Sequence, residues 1–333
     1  MKVSAVAFSA QGLALAQRLR PFFQAQGWQL TSSRCPEGGL DAWTQAHFSS
    51  DALLFISSCG IAVRALAPYL TNKTKDPAVV VIDETASYAV SLLSGHIGGA
   101  NRLAAALADY LDAVPVITTA TDVRGLFAVD AWATEQGLGI ANPQRIKGIS
   151  GRLLAGETIR LKSDFPIDGA LPPGFSSGGD AWDVLITYRT RGRSEALRLV
   201  PPVVTLGVGC KKDTGLAQLE QAYQLILNRA GCHPLAVKQV CSIDLKAREP
   251  GLLQFCRRHQ LPFRTFSASQ LAALPGSFSS SAFVQAMTGV DNVCERSALL
   301  GSGPLGKLLA GKDGGPGITM ALAIEPYTVN FGN

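Results

Sequence analysis

One histidine in this chain stands among glycines. His96 follows Ser94 and Gly95 and precedes Gly98, Gly99 and Asn101, and the segment leads from a short apolar run into a stretch with Leu103, Leu107 and Leu111 at helical spacing. Glycines let a ligand approach backbone N–H groups, and a helix start adds unpaired donors and a positive dipole end. An imidazole placed there can move a proton near neutral pH. The spacing suits an anion or oxyanion site, and it suits equally a tight strand-to-helix turn whose glycines serve packing only.

Two further segments carry chemistry. Residues 114–117 read as a buried strand that runs into Thr118, Thr119, Ala120, Thr121 and Asp122. Hydroxyls and a carboxylate at a strand's carboxyl end sit where open α/β sheets bind ligands. Gly207, Gly209, Cys210, Lys211 and Lys212 follow a second strand and open into a helix. Without a third glycine this is no dinucleotide fingerprint, but its N–H groups and ammonium charges suit a carboxylate; a plain turn with solvated lysines fits as well. Cys210 reads as a small packing residue at such a turn.

Other motifs dissolve on inspection. Gly174, Ser176 and Gly178 match a nucleophile-elbow pattern, yet Pro172 and Pro173 precede and Gly179 follows, so 171–180 reads as a loop. Gly301 to Lys307 approaches a phosphate-binding loop but has Leu308 where Ser or Thr must bind magnesium, and reads as a surface connection. Cys232, His233 and Cys241 lack zinc-site spacing, and no metal site is expected.

The elements that must position these residues alternate. Strands are expected at 3–8, 52–56, 78–82, 88–93 and 114–117, with helices at 11–23, 61–69 and 100–111. Pattern weakens from 134 to 202, where Pro201 and Pro202 suggest a linker. Strands at 203–208, 235–242, 262–265 and 318–324 and helices at 215–230, 252–260 and 292–300 follow. The expected architecture is two α/β units, each a mostly parallel sheet with flanking helices, joined by a smaller middle region, with boundaries 1–133, 134–202 and 203–333.

Composition agrees with a folded chain of 333 residues, long for one core, 47% hydrophobic and 17% charged. No apolar run approaches a bilayer's thickness, no cleavable leader is evident at the N-terminus, and seven cysteines without CxxC spacing suggest reduced thiols and a cytoplasmic setting. The net charge of +5 is uneven: nine basic and ten acidic residues precede position 134, nine and seven occupy 134–202, and twelve and eight follow. No basic run with interleaved aromatics argues for nucleic acid; a small polyanion fits the modest field better.

The segment Ser-Gly-His-Ile-Gly-Gly-Ala-Asn at 94–101, followed by Thr-Thr-Ala-Thr-Asp at 118–122, resembles the CbiG family of cobalamin-biosynthesis proteins, the cobalt-precorrin-5A hydrolases. The resemblance extends to 60–64, 73–84, 206–212 and 288–295, leaving out roughly 134–202. It implies a cobalt corrinoid substrate whose lactone is opened by water, with a two-carbon fragment leaving as acetaldehyde. Cobalt would come with the substrate, so no separate cofactor is implied, and other enzymes of the same pathway are conceivable partners.

On that resemblance His96 activates water or protonates the departing alkoxide, Asp122 orients His96 or is itself the base, and Glu295 joins them as a catalytic residue. Backbone N–H groups of Gly98 and Gly99 would hold the oxyanion. Arg64, Lys73, Lys211 and Lys212 would hold peripheral carboxylates, with Ser94, Gly95, Asn101, Thr118, Thr119, Thr121, Gly207, Gly209 and Cys210 also lining the substrate. Two other readings stay open at this point: a non-catalytic corrinoid carrier, and a phosphosugar or nucleotide enzyme using the 94–101 loop.

Overall fold

The computed structural model describes the chain except residues 36–37, 73–74, 97, 120–123, 180, 191–194, 316 and 333 and the side chain of Phe283. It divides into two compact units, one made of Met1–Thr134 with Leu153–Ala155, the other of Glu135–Arg152 with Gly156–Asn333.

The first unit opens with β1 (Lys2–Ala7), α1 (Ala10–Arg18), α2 (Arg20–Ala25), β2 (Gln29–Arg34), α3 (Leu40–His47) and β3 (Ala52–Ile56). It continues through α4 (Cys59–Leu66), β4 (Ala78–Ile82), β5 (Tyr88–Leu93), α5 (Ala100–Leu111), β6 (Val114–Val116) and α6 (Val129–Glu135). The expected single helix over 11–23 is two, because Leu19 turns the chain and Pro21 sits in the first turn of α2, where its missing N–H costs nothing.

The six strands lie in the order β2-β1-β3-β4-β5-β6. All neighbours are parallel except β4 and β5, which form an antiparallel pair. Strand alternation sends Leu54, Ile56, Val80 and Ile82 to one face, against α1 and α5, and Leu53, Phe55, Val79 and Val81 to the other, against α3 and α4. Because β5 runs against β1, β3 and β4, the carboxyl ends of β5 and β6 emerge at the edge where those strands begin. Residues 114–117 are therefore a correction: β6 is an exposed edge strand, with Val114 55% exposed, and Pro115 is tolerated there because an edge has no partner for every N–H.

The second unit holds two larger sheets. The first part comprises β7 (Gly139–Ile140), α7 (Ile146–Leu154, whose last two residues count with the first unit), β8 (Ile159–Ser163), β9 (Ile167–Asp168), β10 (Phe175–Ser177), β11 (Val184–Ile186) and β12 (Leu197–Val200). Its sheet order is β10-β8-β11-β12-β7. Part of the expected loop at 171–180 is thus the edge strand β10, whose parallel pairing to β8 overrides its turn-like composition.

β13 (Val204–Cys210), α8 (Leu216–Ala230), β14 (Val237–Ile243), α9 (Pro250–His259), β15 (Phe263–Phe266), α10 (Ala268–Ala272) and α11 (Ala282–Thr288) follow. α12 (Cys294–Ser302), β16 (Lys307–Asp313), β17 (Ile318–Ile324) and β18 (Val329–Asn330) complete it. Here the order is β15-β14-β13-β17-β16, with α8 and α9 on one face and α12 on the other. Tyr188 and Val200 share a core with Val204, Leu206 and Tyr223, and Pro201 is buried, so the two sheets pack as one body across the di-proline.

Candidate active site

The first site grows out of the β5–α5 junction. Ser94 adopts φ +56° and Gly99 φ +83°, so the chain reverses twice in the left-handed region before α5 begins. The loop closes on itself: Gly99 donates to His96 O at 2.9 Å, Ala100 to Ser94 O at 3.2 Å and Asn101 to Gly95 O at 3.0 Å. A Cβ on Gly98 would stand 2.4 Å from that of Ser94, so a side chain there is excluded by close approach. Ser94 Oγ donates to Asp76 O at 3.0 Å and ties the loop to the segment entering β4.

Asn101 joins the two segments that matter. Its buried amide accepts from Ser91 Oγ at 2.6 Å and donates to Thr119 Oγ1 at 3.1 Å, so the 94–101 loop and the threonines after β6 meet at one corner of the sheet. His96 Nδ1 lies 3.5 Å from Oδ1 of Asp130, a buried carboxylate in the first turn of α6. Burial opposes ionisation of Asp130, but the imidazole of His96 beside it and the N–H groups of Asp130 and Ala131 outweigh it and hold its carboxyl below the usual range. A buried, ionised carboxylate beside Nδ1 favours the tautomer with its proton on Nδ1 and leaves Nε2 as the basic nitrogen, the arrangement a general base needs.

Several expectations change. The N–H expected of Gly99 for an oxyanion is already donated within the loop. Asp122, Thr121 and Lys73 lie outside the described residues; the carboxylate that the structure gives His96 is Asp130, which sequence reading missed. Its signal was faint but present: one acid among Phe127, Ala128, Val129, Ala131 and Trp132. Thr118 is exposed, and Arg64 is exposed in the last turn of α4.

The second site lies in the other unit, at the carboxyl ends of the parallel strands β13 and β14. A cavity of about 650 Å³ is lined by Gly209, Cys210, Lys211 and Lys212, as expected, and by residues the sequence did not flag, among them Lys246, Arg248 and Lys312. Burial, the largest influence on Cys210, pushes its thiol up, against a nucleophilic thiolate. Gly207 does not line it. A Cβ there would meet Cys294 O at 1.9 Å, so this glycine lets α12 lie directly on β13.

Glu295 stands behind the wall, buried, and its oxygens are filled. Oε2 accepts from Ser279 N at 2.9 Å and Asn292 Nδ2 at 2.7 Å; Oε1 accepts from Ser279 Oγ at 3.1 Å and Lys312 N at 2.6 Å. It fixes the segment before α11, the turn before α12 and the strand β16. Glu249 does similar work at the other wall, accepting from Asp213 N at 2.7 Å and from Lys246 Nζ at 2.9 Å.

Comparison with known proteins now separates the readings. Family models described as cobalamin synthesis G N-terminal and cobalamin synthesis G C-terminus match residues 41–122 and 204–323. A cobalt-precorrin-5A hydrolase from Salmonella typhimurium is 35% identical, over 94% of this chain and 95% of the relative. The chain belongs to the cobalamin synthesis G family. A second relative of the family, a cobalt-precorrin-5A hydrolase from Priestia megaterium, is 32% identical over 84% of this chain and 80% of its own. A solved cobalamin biosynthesis protein G homologue from Sulfolobus solfataricus is 21% identical, covers 97% of each chain and has a TM-score of 0.44. The family's N-terminal match contains His96, Asn101 and Thr119, and its C-terminal match contains the β13 turn and Glu295.

Proposed function

We propose that this chain opens the lactone of cobalt-precorrin-5A with water and releases acetaldehyde, as a step of cobalamin biosynthesis. The observation that carries this is the match over nearly the whole length of a relative named as that hydrolase. Relatives so named do not favour the carrier or the nucleotide-binding reading.

Ester opening demands an activated water, stabilisation of a tetrahedral oxyanion and a proton for the leaving oxygen. His96 takes a proton from water at Nε2 while Asp130 holds Nδ1–H and stabilises the imidazolium. The water oxygen bonds to the lactone carbonyl, the ring C–O bond breaks, and the proton held by His96 passes to the departing alkoxide. When the freed hydroxyl gives up its proton and the neighbouring C–C bond breaks, the bonding pair stays on the macrocycle and acetaldehyde departs.

Asn101 holds the His96 loop against Thr119, so these two segments act as one support. The cobalt is part of the substrate in this reading, and no protein-bound cofactor takes part. Among the described residues no group of His, Cys, Asp or Glu is placed to hold a metal ion, and no helix is long and apolar enough to cross a membrane. Among the described residues no disulfide joins two cysteines, which suits work in the cytoplasm.

The test is turnover of the lactone substrate by folded His96→Ala and Asp130→Asn proteins. Loss of acetaldehyde release of a hundredfold or more is expected for His96→Ala, in the range general base catalysis contributes. Wild-type rates in both variants would refute these roles.

A further inference from the structure

We infer that the cavity of the second unit is the anchor for a flat, multiply carboxylated macrocycle, held at its edge by charge and on one face by apolar side chains. The ligand's identity rests on the function proposed above; the site itself rests on what lines it. At about 650 Å³ the cavity falls within the range of sites for compact organic ligands. Five cationic side chains face two carboxylates. Lys246 is neutralised by Glu249, whereas no carboxylate among the described residues lies within salt-bridge range of Lys211, Lys212, Arg248 or Lys312. A net positive rim of long side chains remains, and α9 and α12 both begin at the wall with their positive dipole ends.

The kind of anion follows from where the donors are. A single phosphate is held by a nest of backbone N–H groups. Here two of the turn's amides are already committed: Lys211 N–H goes to Gly317 O at 2.8 Å and Asp213 N–H to Glu249 Oε1 at 2.7 Å. Recognition therefore falls on separated, flexible cations, which suits several carboxylates spread around a rim. Leu245 and Met287 line the same cavity and are each 66% exposed, a costly arrangement in water and a fitting one against a ring face.

The test uses the full chain and equilibrium dialysis with cobyrinic acid, a cobalt corrin with free carboxylates, beside cyanocobalamin, whose side chains are amidated. Wild-type protein should bind the acid at least tenfold more tightly than the amide, with affinity falling steeply as salt rises. The double variant Lys212→Gln, Arg248→Gln alters two exposed side chains and should keep the wild-type melting temperature while weakening the acid tenfold or more. Met287→Ala should weaken it about threefold without changing the salt dependence. His96→Ala should bind as wild type does.

Equal affinity for acid and amide, or an unchanged double variant, would overturn the assignment. Acetaldehyde release by wild type together with an indifferent double variant removes the cavity and leaves the hydrolase. Tight, charge-dependent binding with no acetaldehyde from the lactone removes the hydrolase and leaves the cavity.

Discussion

Glu295 has both carboxylate oxygens buried and accepts four hydrogen bonds, so Glu295→Gln exchanges one acceptor for a donor without changing shape. The new amide has a better and a worse orientation. With its NH₂ in place of Oε2 it would face two fixed donors, Ser279 N–H and Asn292 Nδ2. With its NH₂ in place of Oε1 it meets Lys312 N–H, while the Ser279 hydroxyl turns to accept. The second orientation leaves one buried backbone donor unsatisfied, at about 1–3 kcal/mol, and weakens two charge-assisted bonds to neutral ones by about 1 kcal/mol each, about 3–5 kcal/mol in all.

The loss should show in denaturant unfolding of the second unit. Faster amide exchange is expected in peptides covering 275–281 and 307–313, the segments that the carboxylate ties down. Stability within about 1 kcal/mol of wild type, with unchanged exchange there, would refute the reasoning. Abolished turnover with intact stability would instead place Glu295 in the chemistry and not behind it.

Other outcomes follow from the same geometry. Gly207→Ala drives a methyl into Cys294 O and should destabilise by about 3 kcal/mol or more, whereas Gly151→Ala, in α7 with open space around it, should stabilise by about 0.5–1 kcal/mol; thermal unfolding of both compares them. Burial pushes Cys232 and Cys241 up to about 12 and Cys256 and Cys294 up to about 11, so these four should resist iodoacetamide at pH 8 in the native protein and react once it is unfolded, by peptide mass. Asp130 has its carboxyl held below the unfolded value of roughly 4, so its stabilisation is full above that pH and is lost as pH falls through the folded value. Melting temperatures of wild type and Asp130→Asn should therefore differ near neutrality and converge in acid; a constant gap from pH 2 to 7 would contradict this.

Much of the frame was legible. α5 runs over the residues that the leucine spacing marks, because its amphipathic face and the left-handed Gly99 agree on one boundary. The meeting of the 94–101 loop with Thr119 was also expected, and Asn101 is its physical link. What escaped depends on tertiary placement. An apolar run such as 114–116 does not say whether a neighbour will cover it, and only the sheet order makes β6 an edge. Asp130 reaches His96 from a helix over thirty positions later, and Gly207 reads as a ligand glycine until α12 is laid on it. The cations of the cavity come from two separate loops and the strand β16, so no local spacing announces them.

The most direct measurement is single-turnover incubation of purified protein with cobalt-precorrin-5A, counting acetaldehyde against opened macrocycle. The account predicts one acetaldehyde per macrocycle from wild type and almost none from folded His96→Ala that still binds the pigment. Pigment bound by wild type without acetaldehyde, or equal release from His96→Ala, would contradict it.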